Sequence, residues 1–145
     1  MQDLLAQSLR DERTSDAMRL LILESMARSL PERYPATWLA EARWALEARD
    51  ERIVRQAVAL LRAAGCGDFD DALLRIAKDE ARSVDLRVEA AGAVAPRLAK
   101  LDGGVFKFLL GCMDREKAPL LRLTAAEAVG KSPLDDPQLD RKSVV

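Results

Sequence analysis

Residues 121–130 read LRLTAAEAVG, and this stretch decides how the chain folds. Its apolar residues recur at helical spacing and do not alternate as they do in a half-buried strand. Two adjacent alanines follow Arg122 by three and four residues. Such small side chains let neighbouring helices approach closely, while the flanking leucines and valine fill the remaining volume. The stretch therefore predicts a helix that packs tightly against other helices.

The same pattern occurs four times along the chain. Residues 86–95 repeat it with both alanines, and residues 54–59 and 18–23 repeat it in degenerate form. The arginines that mark the copies lie between 32 and 36 residues apart: Arg19, Arg55, Arg87 and Arg122. This period indicates stacked helix pairs, because a single pair is too small to bury its own apolar face. We expect the residue before each arginine to be buried, namely Met18, Val54, Leu86 and Leu121.

The composition of the whole chain favours helix as well, since only 4% of its residues are aromatic. The 145 residues fit one domain, in which residues 134–145 are predicted to begin a further, truncated repeat.

Pro96, four residues after Gly92, predicts a kink or an early helix end. Of Trp38 and Trp44, one is expected in the core and the other partly exposed. The predicted helices cover residues 2–10, 15–29, 36–48, 51–64, 70–79, 85–99, 104–113 and 119–130, with a last partial helix from about Pro137.

The residue types that are missing exclude several kinds of chemistry. There is no histidine, so a Ser-His-Asp triad, histidine-ligated zinc and c-type haem attachment are impossible within these residues. Cys66 and Cys112 lack the short spacing of a redox or zinc motif and are predicted to be buried or incidental thiols. We therefore predict no catalytic residue, no metal site and no cofactor. No charge-free stretch approaches the roughly 20 apolar residues that a membrane span needs, so none is predicted.

The repeated pattern resembles the HEAT family, in particular the short HEAT-like repeats of the phycobilisome-lyase type. Residues 121–130 fit the second helix of such a repeat throughout, and residues 86–94 fit it up to the final glycine. The resemblance implies an all-α fold, a right-handed α-α superhelix of about four helix pairs. It also implies that each marking arginine pairs with an acidic residue of the connecting turn. The candidate partners are Asp16, Asp50, Asp85 and Glu116.

A solenoid of this kind presents an inner face lined by its second helices. Positions two, five and nine residues after each arginine are expected to share that exposed face. The predicted binding residues there are Leu21, Glu24, Arg28, Leu60, Glu89, Glu127 and Lys131. This mixed surface suits a protein better than phosphate. We therefore predict a non-catalytic interaction or scaffold module that binds a partner protein or a neighbouring domain of a parent chain.

Other functions remain open as alternatives. The repeats and the turn at residues 132–136 also resemble HEAT segments of large bacterial membrane-associated dehydrogenase or cytochrome-like proteins. That resemblance implies a structural linker within a multidomain redox enzyme, and a periplasmic location in place of a cytoplasmic one. A HEAT-like DNA glycosylase ranks lower, because the net charge of -1 provides no basic field for nucleic acid. A bilin-lyase-type enzyme also ranks lower, since no residue here can be named for its chemistry.

Overall fold

The computed structural model describes residues 2–133 and Arg141, and these residues form helices and no strand. The predicted all-α class is thereby confirmed. The predicted helix near Pro137 and the further repeat at residues 134–145 lie outside the described residues, apart from Arg141. The α-helices are α1 Gln2–Arg10, α2 Asp16–Arg28, α3 Ala36–Ala45, α4 Glu51–Ala64, α5 Asp70–Lys78, α6 Val84–Val94, α7 Gly103–Cys112 and α8 Pro119–Lys131.

Helix α6 is shorter than the predicted helix of residues 85–99. It ends at Val94, and residues Ala95–Arg97 form a short 3-10 helix. Pro96 has no N–H to donate to a carbonyl four residues back, so the α-helix cannot continue through it. The expected early helix end at Pro96 is confirmed, and the predicted extension to residue 99 is wrong.

Helices α2, α4, α6 and α7 each begin after a residue whose side chain accepts a hydrogen bond from the first turn. The hydroxyls of Ser15 and Ser83 accept hydrogen bonds from backbone N–H groups in the first turns of α2 and α6. Asp50 and Asp102 perform the same role for α4 and α7. These caps satisfy N–H groups that have no partner inside the helix. Gly65 follows the last residue of helix α4, and its φ of 65° lies in the left-handed region that favours glycine.

The first compact unit, Met1–Ala72, contains α1 to α4. Helix α4 packs against both α2 and α3, and α1 packs against α3 and α2. The largest fully buried side chains of this unit are Leu9, Leu23, Met26, Val54, Val58, Leu60 and Leu61. Because α4 is covered from two sides, it contributes the most residues to this core.

The second compact unit, Leu73–Val145, is built around α6, α7 and α8. Helix α8 packs against both α6 and α7. Ala90, Ala91 and Ala125 are fully buried, and a Cβ on Gly92 would lie 3.7 Å from the Cβ of Ala128. The small residues of the repeat therefore allow close helix packing, as the pattern predicts. Phe106 is the largest fully buried side chain of this unit.

The four residues that precede the marking arginines do not share one environment. Val54 and Leu86 are fully buried, as predicted. Met18 is 49% exposed and Leu121 is half-buried, so the prediction is wrong for these two residues. The buried residues of α2 begin at Ile22, which leaves Met18 in the first turn, outside the packed part of the helix. Leu121 likewise lies in the first turn of α8, ahead of that helix's buried residues.

Candidate functional site

Two of the marking arginines bind the end of the helix that precedes them. Nε of Arg19 donates to the carbonyl oxygen of Leu9 at 3.0 Å, and Nε of Arg87 donates to that of Ala77 at 3.1 Å. Each acceptor is ten residues earlier in the chain and is the second-last residue of its helix. Carbonyls at this position have no partner inside the helix. These arginines therefore cap α1 and α5 and tie each helix to the next.

The predicted pairing of the arginines with acidic residues is confirmed at Arg19, whose Nη1 lies 3.0 Å from Oδ1 of Asp16. Asp50 binds Arg52 at 2.7 Å, and this hydrogen bond holds the pKa of Asp50 below its usual range.

For Arg87 and Arg122, the predicted pairs with Asp85 and Glu116 do not form among the described residues. Nε of Arg122 is buried and makes no hydrogen bond within that part of the chain. The arginine pattern thus predicts a packing position, but it does not predict the acceptor.

One group of predicted binding residues lies together on α2. Leu21 is 56% exposed, Glu24 is half-buried and Arg28 is exposed. Nη2 of Arg28 lies 2.7 Å from Oε1 of Glu24. Met18 lies one turn before Leu21 and is also exposed. We call these four residues the α2 patch, a surface with two apolar side chains beside an ion pair.

A similar group lies on α8. Leu123 is 57% exposed, Leu120 is still more exposed, and Glu127 and Lys131 are exposed as well. Their spacing of three and four residues places them along one face of the helix. We call these residues the α8 patch. The repeat pattern predicts Glu127 and Lys131 as binding residues, but it does not single out the two leucines.

The predicted inner face is wrong at α4. Leu60 is fully buried, as is its neighbour Ala57, so neither can contact a partner from this structure. Both belong to the side of α4 that forms the core of the first unit. On α6, Glu89 is half-buried and Gly92 is buried. The exposed members of the predicted set therefore all lie on α2 or α8, namely Leu21, Arg28, Glu127 and Lys131.

The two tryptophans differ in exposure, as the sequence predicts. Trp38 is buried, whereas Trp44 is 42% exposed. The guanidinium carbons of Arg10 and Arg19 lie 6.0 and 5.9 Å from the Trp44 ring centroid. Oε2 of the buried Glu41 lies 2.7 Å from Nε of Arg10. These contacts give Trp44 a structural role in joining α1, α2 and α3.

The second unit also contains an open groove between α6 and α7, with a volume of about 500 Å³. We call it the α7 groove, and its lining includes Val84, Arg87, Lys107, Phe108, Gly111 and Lys117. Cys112 lies at its inner wall, and burial raises the pKa of that thiol. The sequence does not predict this groove. Its only signal is the spacing of Gly104, Phe108 and Gly111, which places them on one face of α7.

A scan against protein-family models and searches of curated proteins and of solved structures found no match. Within the described residues, no helix is long and apolar enough to cross a membrane. The same part of the chain contains no group of three or more cysteine, aspartate or glutamate side chains placed to hold a metal ion.

Proposed function

We propose that this protein is a non-catalytic protein-binding module, a HEAT-like right-handed superhelix that binds a partner through its second helices. The observation that carries the proposal is the α2 patch. Leu21 and Met18 are about half exposed, and the ion pair between Glu24 and Arg28 lies beside them. An apolar centre with a charged edge is typical of protein interfaces.

The α8 patch supports the same proposal. In the repeat alignment, Glu127 and Lys131 occupy the positions that Glu24 and Arg28 occupy in α2. Leu120 and Leu123 add apolar surface next to these charges. Both patches lack the tryptophan, tyrosine and multiple arginine anchors that dominate tight interfaces. We therefore expect binding of micromolar affinity or weaker.

The proposal is tested by cross-linked affinity capture from cells of the source organism, followed by quantitative mass spectrometry. The test variant carries Leu21→Glu and Leu123→Glu, which place a charge in the centre of each patch. The matched control carries Leu4→Glu and Leu30→Glu, which add the same two negative charges at exposed leucines outside both patches. We expect at least one protein to be captured by the wild type and the control and lost with the test variant.

Circular dichroism should show equal helicity for all three proteins, because the substituted side chains are exposed. Capture profiles that are identical for the test variant and the control would contradict the proposal.

A further inference from the structure

The α7 groove contains an arginine that is fixed in position. Nε of Arg87 donates to the carbonyl oxygen of Ala77, and its guanidinium carbon lies 4.1 Å from the ring centroid of Phe108. No acceptor among the described residues binds the two terminal nitrogens of Arg87. A guanidinium held at one edge and on one face can present its remaining N–H groups to a carboxylate with little further loss of side-chain entropy.

The groove has an excess of positive charge. Lys107 and Lys117 line it with Arg87 and are exposed, and neither forms an ion pair with a described residue. Glu80 is the acidic residue in the lining. Burial raises the pKa of the Cys112 thiol, while the positive charges of Lys117 and Arg87 lower it and the charge of Asp85 raises it. Three cations therefore meet one lining carboxylate, which favours an anionic ligand.

Between these charges the groove is lined by the apolar side chains of Val84 and Phe108 and by Gly111, which has no side chain. Val84 is exposed, and the Phe108 ring is half-buried. A Cβ added at Gly111 would meet no atom within 4 Å, so the backbone of α7 lies open at this point. An open groove of this kind lets an extended chain approach closely. An enclosed cavity, by contrast, is typical of small-molecule sites.

We propose that the α7 groove binds an acidic segment of a partner protein that also carries an apolar side chain. The carboxylates of the segment pair with Arg87, Lys107 and Lys117, and its apolar side chain packs on Phe108 and Val84. This inference rests on the proposed function, because it assigns the acidic segment to a protein partner. It concerns a different surface from the α2 and α8 patches, so the two can fail separately.

The test measures binding of the full chain to a short fluorescein-labelled peptide of glutamates around a single leucine, by fluorescence anisotropy. We expect saturable binding that weakens as salt is added, because exposed charges are screened. The variant with Lys107→Glu and Lys117→Glu should bind at least about tenfold more weakly, since like charges then face the peptide. The matched control carries Arg62→Glu and Arg75→Glu, the same change in net charge on exposed residues outside the groove, and should bind like the wild type.

A second variant blocks the groove without a change in charge. Gly111→Leu places a side chain in the open space and should abolish peptide binding, whereas Gly130→Leu, at an equally open position on α8, should leave it intact. The proposal is overturned if the wild type does not bind the peptide, or if the lysine variant binds as tightly as its control. It is equally overturned if only a small aryl carboxylate or a DNA duplex binds the groove. In each of these cases, capture that depends on Leu21 and Leu123 would still support the proposed function.

Discussion

Arg87 joins three helices of the second unit through a single side chain. It belongs to α6, its Nε caps α5 at Ala77, and its guanidinium covers the ring of Phe108 on α7. Arg122 holds the equivalent position in α8, yet its buried Nε has no hydrogen-bond partner among the described residues. A buried donor without an acceptor costs stability, whereas a satisfied one contributes to it. The same residue type at the same repeat position thus has opposite energetic effects.

The first prediction compares these two arginines. Arg87→Met should lower the free energy of unfolding by about 1–3 kcal/mol, because it removes the hydrogen bond and the contact with Phe108. Arg122→Met should change it by less than about 1 kcal/mol, or raise it, because it removes an unsatisfied buried donor. Urea denaturation of both variants and the wild type measures the difference. Equal losses in the two variants would show that the Ala77 hydrogen bond is not what distinguishes them.

The second prediction concerns the pH dependence of a helix cap. Lys78 donates to Oδ2 of Asp102 at 3.0 Å, and this hydrogen bond lowers the pKa of Asp102 in the folded protein. Because the folded pKa is below the unfolded one, the stabilisation is complete above the unfolded value of about 3.8 and is lost as the pH falls through the folded value. Asp102→Asn should therefore destabilise the protein near neutral pH but not in acid.

The pair is half exposed, so the effect of Asp102→Asn should not exceed about 1 kcal/mol. Thermal unfolding at several pH values measures it. In a Lys78→Met background the effect of Asp102→Asn should become smaller. A difference between wild type and Asp102→Asn that grows on acidification would have the wrong sign for this explanation.

Among the helices, α7 contains a glycine, Gly111, that packing does not require. Gly111 lies near the end of this helix, where glycine is less favourable than alanine and where a Cβ would meet no neighbour. Packing therefore does not explain the glycine. Gly65, by contrast, closes α4 with a positive φ, a conformation that an L side chain adopts only with strain.

The third prediction follows from these two glycines. Gly111→Ala should raise the free energy of unfolding by about 0.5–1 kcal/mol through the lower entropy of the unfolded chain. Gly65→Ala should lower it by about 1 kcal/mol or more, because its φ is unfavourable for alanine. Thermal unfolding followed by circular dichroism compares the two variants directly. A loss of stability in Gly111→Ala would show that the space beside α7 is already occupied in solution.

At the scale of the whole molecule, the chain forms two compact units, each with its own buried side chains. Phe106 is fully buried within the second unit, and Leu23 is fully buried within the first. Removing a large core side chain costs the transfer energy of its atoms and the energy of the cavity that remains. Stability in each unit therefore depends chiefly on apolar burial, since most ion pairs among the described residues have an exposed partner.

The fourth prediction tests whether each unit depends on its own buried core. Phe106→Ala should lower the free energy of unfolding by about 3–5 kcal/mol. Hydrogen exchange followed by mass spectrometry should show the loss of protection first in helices α6 to α8. The control is Leu23→Ala, which removes a core side chain from the first unit. Its loss of protection should appear first in α2 and α4. If both variants lost protection evenly over all helices, the units would unfold as a single cooperative element.

The all-α class and most helix starts could be predicted from the sequence, because both depend on local chemistry, whereas α3 and α6 end three and five residues earlier than predicted. The starts of α1, α3, α4, α5 and α8 lie where the periodicity, prolines and capping residues predict them, and α6 ends where Pro96 removes a hydrogen-bond donor. Buried small residues such as Ala90 and Ala125 also follow from the repeat pattern. These properties are set within about four residues of chain, the distance over which helix hydrogen bonds act.

Which side chains are covered, and what they contact, depends on how the helices pack together. Val54 and Met18 hold the same repeat position, yet one is buried and the other is exposed, because burial depends on which helix lies opposite. Leu60 lies in the core for the same reason. The α7 groove joins Arg87 and Lys107 from helices that are adjacent only after folding. Periodicity indicates which face of a helix is apolar, whereas packing determines which part of that face remains open to a partner.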